Sequence, residues 1–366
     1  MPAYPHARRT RTRVTVALGT ALGCAALLSG VQPATAGPSG PTPSMNASFT
    51  SAAEQYGIPR DVLAAVGYGE THFDGHDGAP SQAHGFGVMH LVSNPDRHTL
   101  ERAAELTGKS TARLRTDTDA NIRGGAAVLR GYADALGLDA AERADADAWY
   151  PVIARYSGAR GTAARLYADN VYRILRQGVR GRTPDGERVT VAARDVHPAK
   201  GATGSGPATR SADYPDAAWV PADPANYAKG RSAALDTIII HVTQGSYAGT
   251  ISWFQNPEAK VSAHYVVRSS DGAVTQTVRD ADTAYHARSA NSAALGIEHE
   301  GYVDDPSWFT DAMYRSSAAL TRHLADAHGI PLDREHIIGH SEAPGNDHTD
   351  PGKHWDWDRY MKLVKG

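Results

Sequence analysis

The C-terminal stretch HIIGHSEAPGNDHTDPGKHWDW is dense in histidine, aspartate, proline and glycine. Imidazole and carboxylate are zinc ligands, and a stiff backbone is what a metal site requires. The apolar run leading into His340 reads as the end of a buried strand. SEAPGND is turn chemistry, in which Pro344 fixes a backbone angle and Gly345 permits positive φ. HTDPG then brings Asp350 back beside the strand, with Pro351 biasing the residue before it toward extended backbone. A third group comes from LDTIIIHVTQGS, where His241 stands at the exit of the most apolar strand in the chain. His241, His340 and Asp350 would leave one coordination position open, which is the catalytic rather than the structural zinc arrangement. The competing reading is a chance pairing, because ten of the 17 histidines fall within residues 226–366.

AAEQYGIPRDVLAAVGYGETHFD holds a second candidate. Glu70 ends an apolar helix and is followed by the aromatic Phe73. A carboxyl half-buried beside aromatic groups has a raised pKa and can protonate a glycosidic oxygen. A solvated surface glutamate is the alternative.

These groups need elements to hold them. Residues 46–180 read as mostly helical: SFTSAAEQYG, RDVLAAVGYGE, HTLERAAELTG, DANIRGGAAVLRGYADALG and GTAARLYADNVYRILRQG carry apolar residues at helical spacing, and most stop at glycine. Val128, Leu129, Tyr132 and Leu136 form the expected buried stripe of one of them. Residues 181–225 are charged and rich in Gly, Ala, Pro and Ser, and read as a linker. From 226 to 366 the pattern is mixed. LDTIIIHV, ALGIEHEGY and EHIIGHS read as strands, and GTISWFQN as a short helix. VSAHYVVRS and AVTQTVRD form a hairpin around SDG. TDAMYRSSAALTRHLADAHG is an amphipathic helix capped by Thr310 and stopped by Gly329, and WDWDRYMKLVKG is a terminal helix. The expected fold is thus an α/β mixed-sheet domain preceded by a mostly α-helical one.

The 366 residues suffice for two domains, and 41% hydrophobic with 21% charged residues fits a globular protein. A net charge of −3 argues against a nucleic-acid partner. At the N-terminus, RRTRTR, the apolar VTVALGTALGCAALLSGV and ATA at 34–36 read as a signal peptide over residues 1–36, removed after Ala36. No stable membrane insertion and a secreted, cell-wall-associated protein are therefore expected. The sole cysteine, Cys24, falls inside this segment. Its acylation as a lipoprotein anchor is the alternative. GPSGPTPS opens a leader over 37–45.

IIIHVTQG, VSAHYVVRSSDGAVTQTV, AYHA, LGIEHEG and GHSEAPGNDHTDPG follow one another in order. Together they resemble the zinc-dependent N-acetylmuramoyl-L-alanine amidases related to phage lysozyme amidases and peptidoglycan recognition proteins. The resemblance spans roughly residues 226–366. It implies that Zn²⁺ is held by His241, His340 and Asp350, and that zinc-activated water cleaves the amide between N-acetylmuramic acid and L-alanine. In IEHEG, alternation puts Glu298 and Glu300 on one face and His299 on the other. The resemblance selects Glu298 as general base and leaves Glu300 a structural role. His348, two residues before Asp350, would face the same cavity and steady the oxyanion as an imidazolium. Some relatives have lysine there. His264 is expected to pack in its strand, and His286 to line the substrate groove.

The segment around Glu70, with GFGVMHLV, DANIRGGAAVLRGYA and ARYSGA, resembles the lysozyme-like lytic transglycosylases over roughly residues 46–180. That implies a glycan-binding domain in which Glu70 cuts the strand or has lost that role. The sequence departs from the family pattern at Thr71, His90 and YSGA, where serine, glutamine and a YNAG-like segment are usual. The combined expectation is a secreted hydrolase whose partner is peptidoglycan, both muramyl peptide and glycan strand. A non-catalytic peptidoglycan recognition protein and a zinc peptidase acting on stem peptides are the rival readings.

Overall fold

The computed structural model describes residues 43–200 and 209–366. The signal segment with Ala36 and Cys24, and most of the leader, lie outside the described residues. Helix α1 (Met45–Tyr56) starts where the Ser44 hydroxyl accepts the Ala47 N–H, and it ends at Gly57 in the left-handed region. It is followed by α2 (Arg60–Thr71), the short antiparallel pair β1 (Gly85–Phe86) and β2 (Leu91–Val92), then α3 (Thr99–Thr107), α4 (Thr111–Thr116), α5 (Thr118–Ala135), α6 (Ala140–Ala144), α7 (Tyr150–Tyr156) and α8 (Gly161–Gln177). Phe49, Val66, Leu129, Ile153 and Val171 from five of these helices close one core. The expected stripe on α5 holds only in part. Val128 and Leu129 are buried, but Leu136 is 43% exposed, because the helix has ended at Ala135 and the chain turns away at Gly137.

Residues 181–225 are not an uninterrupted linker. Strands β3 (Val179–Arg182) and β4 (Arg188–Val191) pair antiparallel. In RVTV the residues alternate exposed and buried, so Val189 and Val191 reach the helical core, as does Val196 beyond them. Further on, β5 (Ala218–Trp219) joins the main sheet of the second half.

That half contains β6 (Tyr227–Ala228), β7 (Thr237–Val242), α9 (Tyr247–Phe254), β8 (Tyr265–Val267), β9 (Val274–Gln276), β10 (Thr283–Ala284), β11 (Ala294–His299), α10 (Asp311–His328), β12 (Ile337–Gly339) and α11 (Trp357–Lys365). The sheet order is β12-β7-β11-β8-β9-β5, with β12, β7, β11 and β8 parallel and β9 antiparallel to β8. Thr310 accepts the Met313 N–H to cap α10, and Gly329 ends it at φ 70°, both as the sequence predicts. Ile238, Ile240, Leu295 and Ile297 point from one sheet face onto Met313, Leu320 and Leu324 of α10 and Tyr360 and Val364 of α11. Burying each such side chain contributes about 1.5–3 kcal/mol, which fixes the strand register. The other face of the sheet is thereby left for Ile239, His241 and Glu298. No helix of the described residues is long and apolar enough to cross a membrane. The described residues from 43 onward fall in one compact unit, so the helical half and the sheet half pack together.

Candidate metal centre

Parallel pairing builds the site. In β7 and β11, His241 stands opposite Glu298; in β12 and β7, Gly339 stands opposite Ile240, so His340 emerges next to His241. Three adjacent parallel strands thus carry His340, His241 and Glu298 at or next to their C-terminal ends, where ligands commonly bind. The loop after His340 returns Asp350, whose Oδ2 accepts the Val242 N–H at 3.2 Å and whose Oδ1 meets His340 Nδ1 at 3.0 Å. His241 Nδ1 lies 3.5 Å from Asp350 Oδ2, so both imidazoles turn the same ring nitrogen toward the carboxylate. One donor atom from each of the three lies within 4.8 Å of the others, and all three side chains are buried.

The protonation states suit a cation. Burial lowers the His241 pKa to about 4, against the opposing pull of Asp350. Burial alone would raise the Asp350 carboxyl, but hydrogen bonds from His241 and His340 outweigh it and hold the group well below the usual carboxylate range. Behind them, His286 Nδ1 contacts His241 Nε2 at 3.0 Å and orients that ring. His286 fits there because residue 296 is glycine: a Cβ at Gly296 would meet its ring at 2.6 Å. His264, expected to pack within a strand, is fully buried but stands one residue before β8, with the Gly296 N–H donating to its Nδ1 at 3.0 Å.

Glu298 is buried, and its Oε2 has no hydrogen-bond partner among the described residues. Burial, then the Asp350 charge, raise its pKa well above the usual value. Glu300 differs: its two oxygens accept the Tyr247 and Ser269 N–H groups at 2.8 Å each, so it ties loops together. His299 faces the far side, tilted against the Trp355 ring and hydrogen-bonded to Ser317. His348 stacks on His340 with ring centroids 4.4 Å apart and has a 55% exposed side chain, so it stands at the rim. The cavity over the cluster measures about 500 Å³ and is lined by His286, Glu298, His348 and the three clustered groups.

Two features were beyond sequence reasoning. Pro80, Ser81 and Gln82 of the helical half line this cavity too, and the Gln82 N–H donates to the Gln244 carbonyl at 3.2 Å. No local pattern in GAPSQAH signals that long-range contact. Glu70 also departs from expectation. It is not half-exposed in a groove but 1% exposed, with Tyr167 donating to Oε1 at 2.7 Å and Ser246 of the sheet half donating to Oε2 at 2.9 Å. His90 Nδ1 lies 3.5 Å from Glu70, and its Nε2 meets the Ser81 hydroxyl at 2.7 Å. The chain brings together His241, His340, Asp350, Glu298 and His348, and holds Glu70 apart at the seam between its halves.

Known proteins resemble the second half of the chain. A family profile described as N-acetylmuramoyl-L-alanine amidase matches residues 231–353. N-acetylmuramoyl-L-alanine amidase A of Achromobacter lyticus is 39% identical over 171 residues, which are 42% of this chain and 96% of the relative. The 1,6-anhydro-N-acetylmuramyl-L-alanine amidase AmpD of Haemophilus influenzae is 34% identical over 116 residues, 30% of this chain, which spans 61% of that relative's length. A crystal structure of a selenomethionine derivative of AmpD is 25% identical, with 43% of this chain and 99% of that chain covered at a TM-score of 0.36.

Proposed function

The chain belongs to the N-acetylmuramoyl-L-alanine amidase family and is an enzyme of that class, and we propose that it cleaves the bond between N-acetylmuramic acid and L-alanine in peptidoglycan with a zinc ion held by His241, His340 and Asp350. The observation that carries the metal reading is the convergence of two buried imidazoles and a buried carboxylate beside a Glu298 oxygen that has no hydrogen-bond partner among the described residues. When bound there, zinc would polarise the scissile carbonyl and bring the pKa of a water molecule toward neutrality. Glu298 takes the proton from the attacking water and passes it to the amine of the departing L-alanine. His286 keeps the His241 ring in place. His348, at the rim, donates to the oxygen of the tetrahedral adduct.

Mass spectrometry of digested peptidoglycan tests the reaction. The expected products are stem peptides with a free N-terminal L-alanine and glycan bearing intact lactyl groups. Cut peptide bonds within the stem would instead make the enzyme a peptidase. For His348→Ala we expect kcat to fall about 10²-fold with KM unchanged, and His348→Lys to recover much of it. A KM effect alone would move His348 from the oxyanion to substrate binding.

The helical half, in this reading, binds glycan and does not cut it, because Glu70 is covered by Ser246 and Tyr167. The full chain should release no new glycan ends from purified strands, and Glu70→Gln should behave the same. Glycan fragments that vanish in Glu70→Gln would restore the catalytic role. Glu70→Ala should instead lower the melting temperature, since each buried hydroxyl left unpaired costs about 1–3 kcal/mol. Export is proposed from the leader sequence, with a mature N-terminus at Gly37 as the outcome to check by N-terminal sequencing.

A further inference from the structure

Beside the metal cavity runs a second and larger opening of about 860 Å³, formed by both halves of the chain. Two walls run from one to the other. The loop that lines the metal cavity with Pro80, Ser81 and Gln82 lines the larger groove with the next residue, Ala83. Likewise the end of α9 gives Phe254 to the metal cavity and Trp253 to the groove. A muramoyl-peptide bond needs only the first space, since cavities of about 300–1,000 Å³ already hold a small ligand.

The groove's lining has a definite chemistry. Tyr132 from the helical half and Trp253 from the sheet half are both partly exposed and supply flat apolar surface with a polar edge. Arg97, Arg102 and Arg160 are set against Asp96 and Asp223. Arg102 is paired with Glu105, whereas exposed Arg160 makes no ion pair among the described residues. Arg97 is fixed by donating to the Tyr156 carbonyl, while its buried Nε has no hydrogen-bond partner among the described residues. Guanidiniums held in this way suit carboxylates, and aromatic faces suit the apolar faces of sugar rings.

We infer that this groove and the metal cavity form one track for a polymeric strand, so that the preferred substrate is extended peptidoglycan, with sugars on Trp253 and Tyr132 and stem-peptide carboxylates near Arg160 and Arg97, rather than a small soluble muropeptide. The inference rests on the amidase reading above, and its test separates the two. Full-length zinc-loaded enzyme carrying Trp253→Ala or Arg160→Glu is assayed on purified insoluble sacculi and on a soluble single-sugar muramoyl tripeptide. Binding to sacculi is measured by co-sedimentation. We expect kcat/KM and binding on sacculi to fall about tenfold in each variant, the soluble substrate to change by less than about twofold, and Trp253→Phe to retain most of the polymer activity. Unchanged sacculus kinetics and binding, or equal losses on both substrates, would overturn the track. A wild-type chain that hydrolyses neither substrate would refute the amidase reading instead. Co-sedimentation of the variants would then still decide for or against the groove.

Discussion

Replacing Glu298 by glutamine is expected to lower kcat by about 10²–10⁴-fold while zinc content stays unchanged. The amide is nearly the same size, so the β11 register opposite His241 survives. What is lost is a proton acceptor. Oε2 of Glu298 is buried with no hydrogen-bond partner among the described residues, so little in the fold depends on it and much of the chemistry does. Turnover on a soluble muramoyl peptide, with metal content measured by plasma mass spectrometry, checks both halves of the statement. Near-normal turnover would move the base elsewhere. Glu300 would be a poor substitute, because its oxygens are taken by the Tyr247 and Ser269 N–H groups.

His241→Ala and His340→Ala should each lose zinc and activity together, with metal affinity falling at least about 10²-fold. Either change removes one of three donors and leaves Asp350 with one imidazole neighbour. Dialysis of the unaltered protein against a strong chelator should abolish hydrolysis, and added zinc should restore it. Full turnover by protein shown to be metal-free would end the zinc reading. The substitutions and Glu298→Gln are distinguishable, since only the former lose the ion.

Why these residues could be found in the sequence is a matter of range. His241 and His340 terminate strands that declare themselves by apolar runs, and Asp350 lies ten residues from His340 across a turn marked by proline and glycine. Thr310 and Gly329 bound α10 by local capping chemistry, and the structure agrees at both ends. Failures came where local composition and distant packing disagree. RVTV has the alternation of a strand, but its charged and glycine-rich surroundings read as linker; the helical core decides otherwise by accepting Val189 and Val191. Leu136 continued a periodic stripe that the backbone had already left. Glu70 is legible at a helix end, yet its partners are Tyr167 and Ser246, 97 and 176 residues away, which no window of sequence contains.

Ser246 does two things with one oxygen. It accepts the Gly249 N–H to start α9, and it donates to Glu70. The helix that begins there ends in Trp253 and Phe254, one facing each of the two openings. The chain is therefore a poor candidate for cutting and pasting. An excision at residue 226 would take the sheet half away with its active-site wall missing and its α9 cap deprived of a partner. A fusion that swapped in another helical module would have to reproduce a carboxylate at the place of Glu70 and a loop at 80–82. Exchanging either half of this chain alone therefore breaks the Ser246–Glu70 contact unless the incoming half supplies its own partner there.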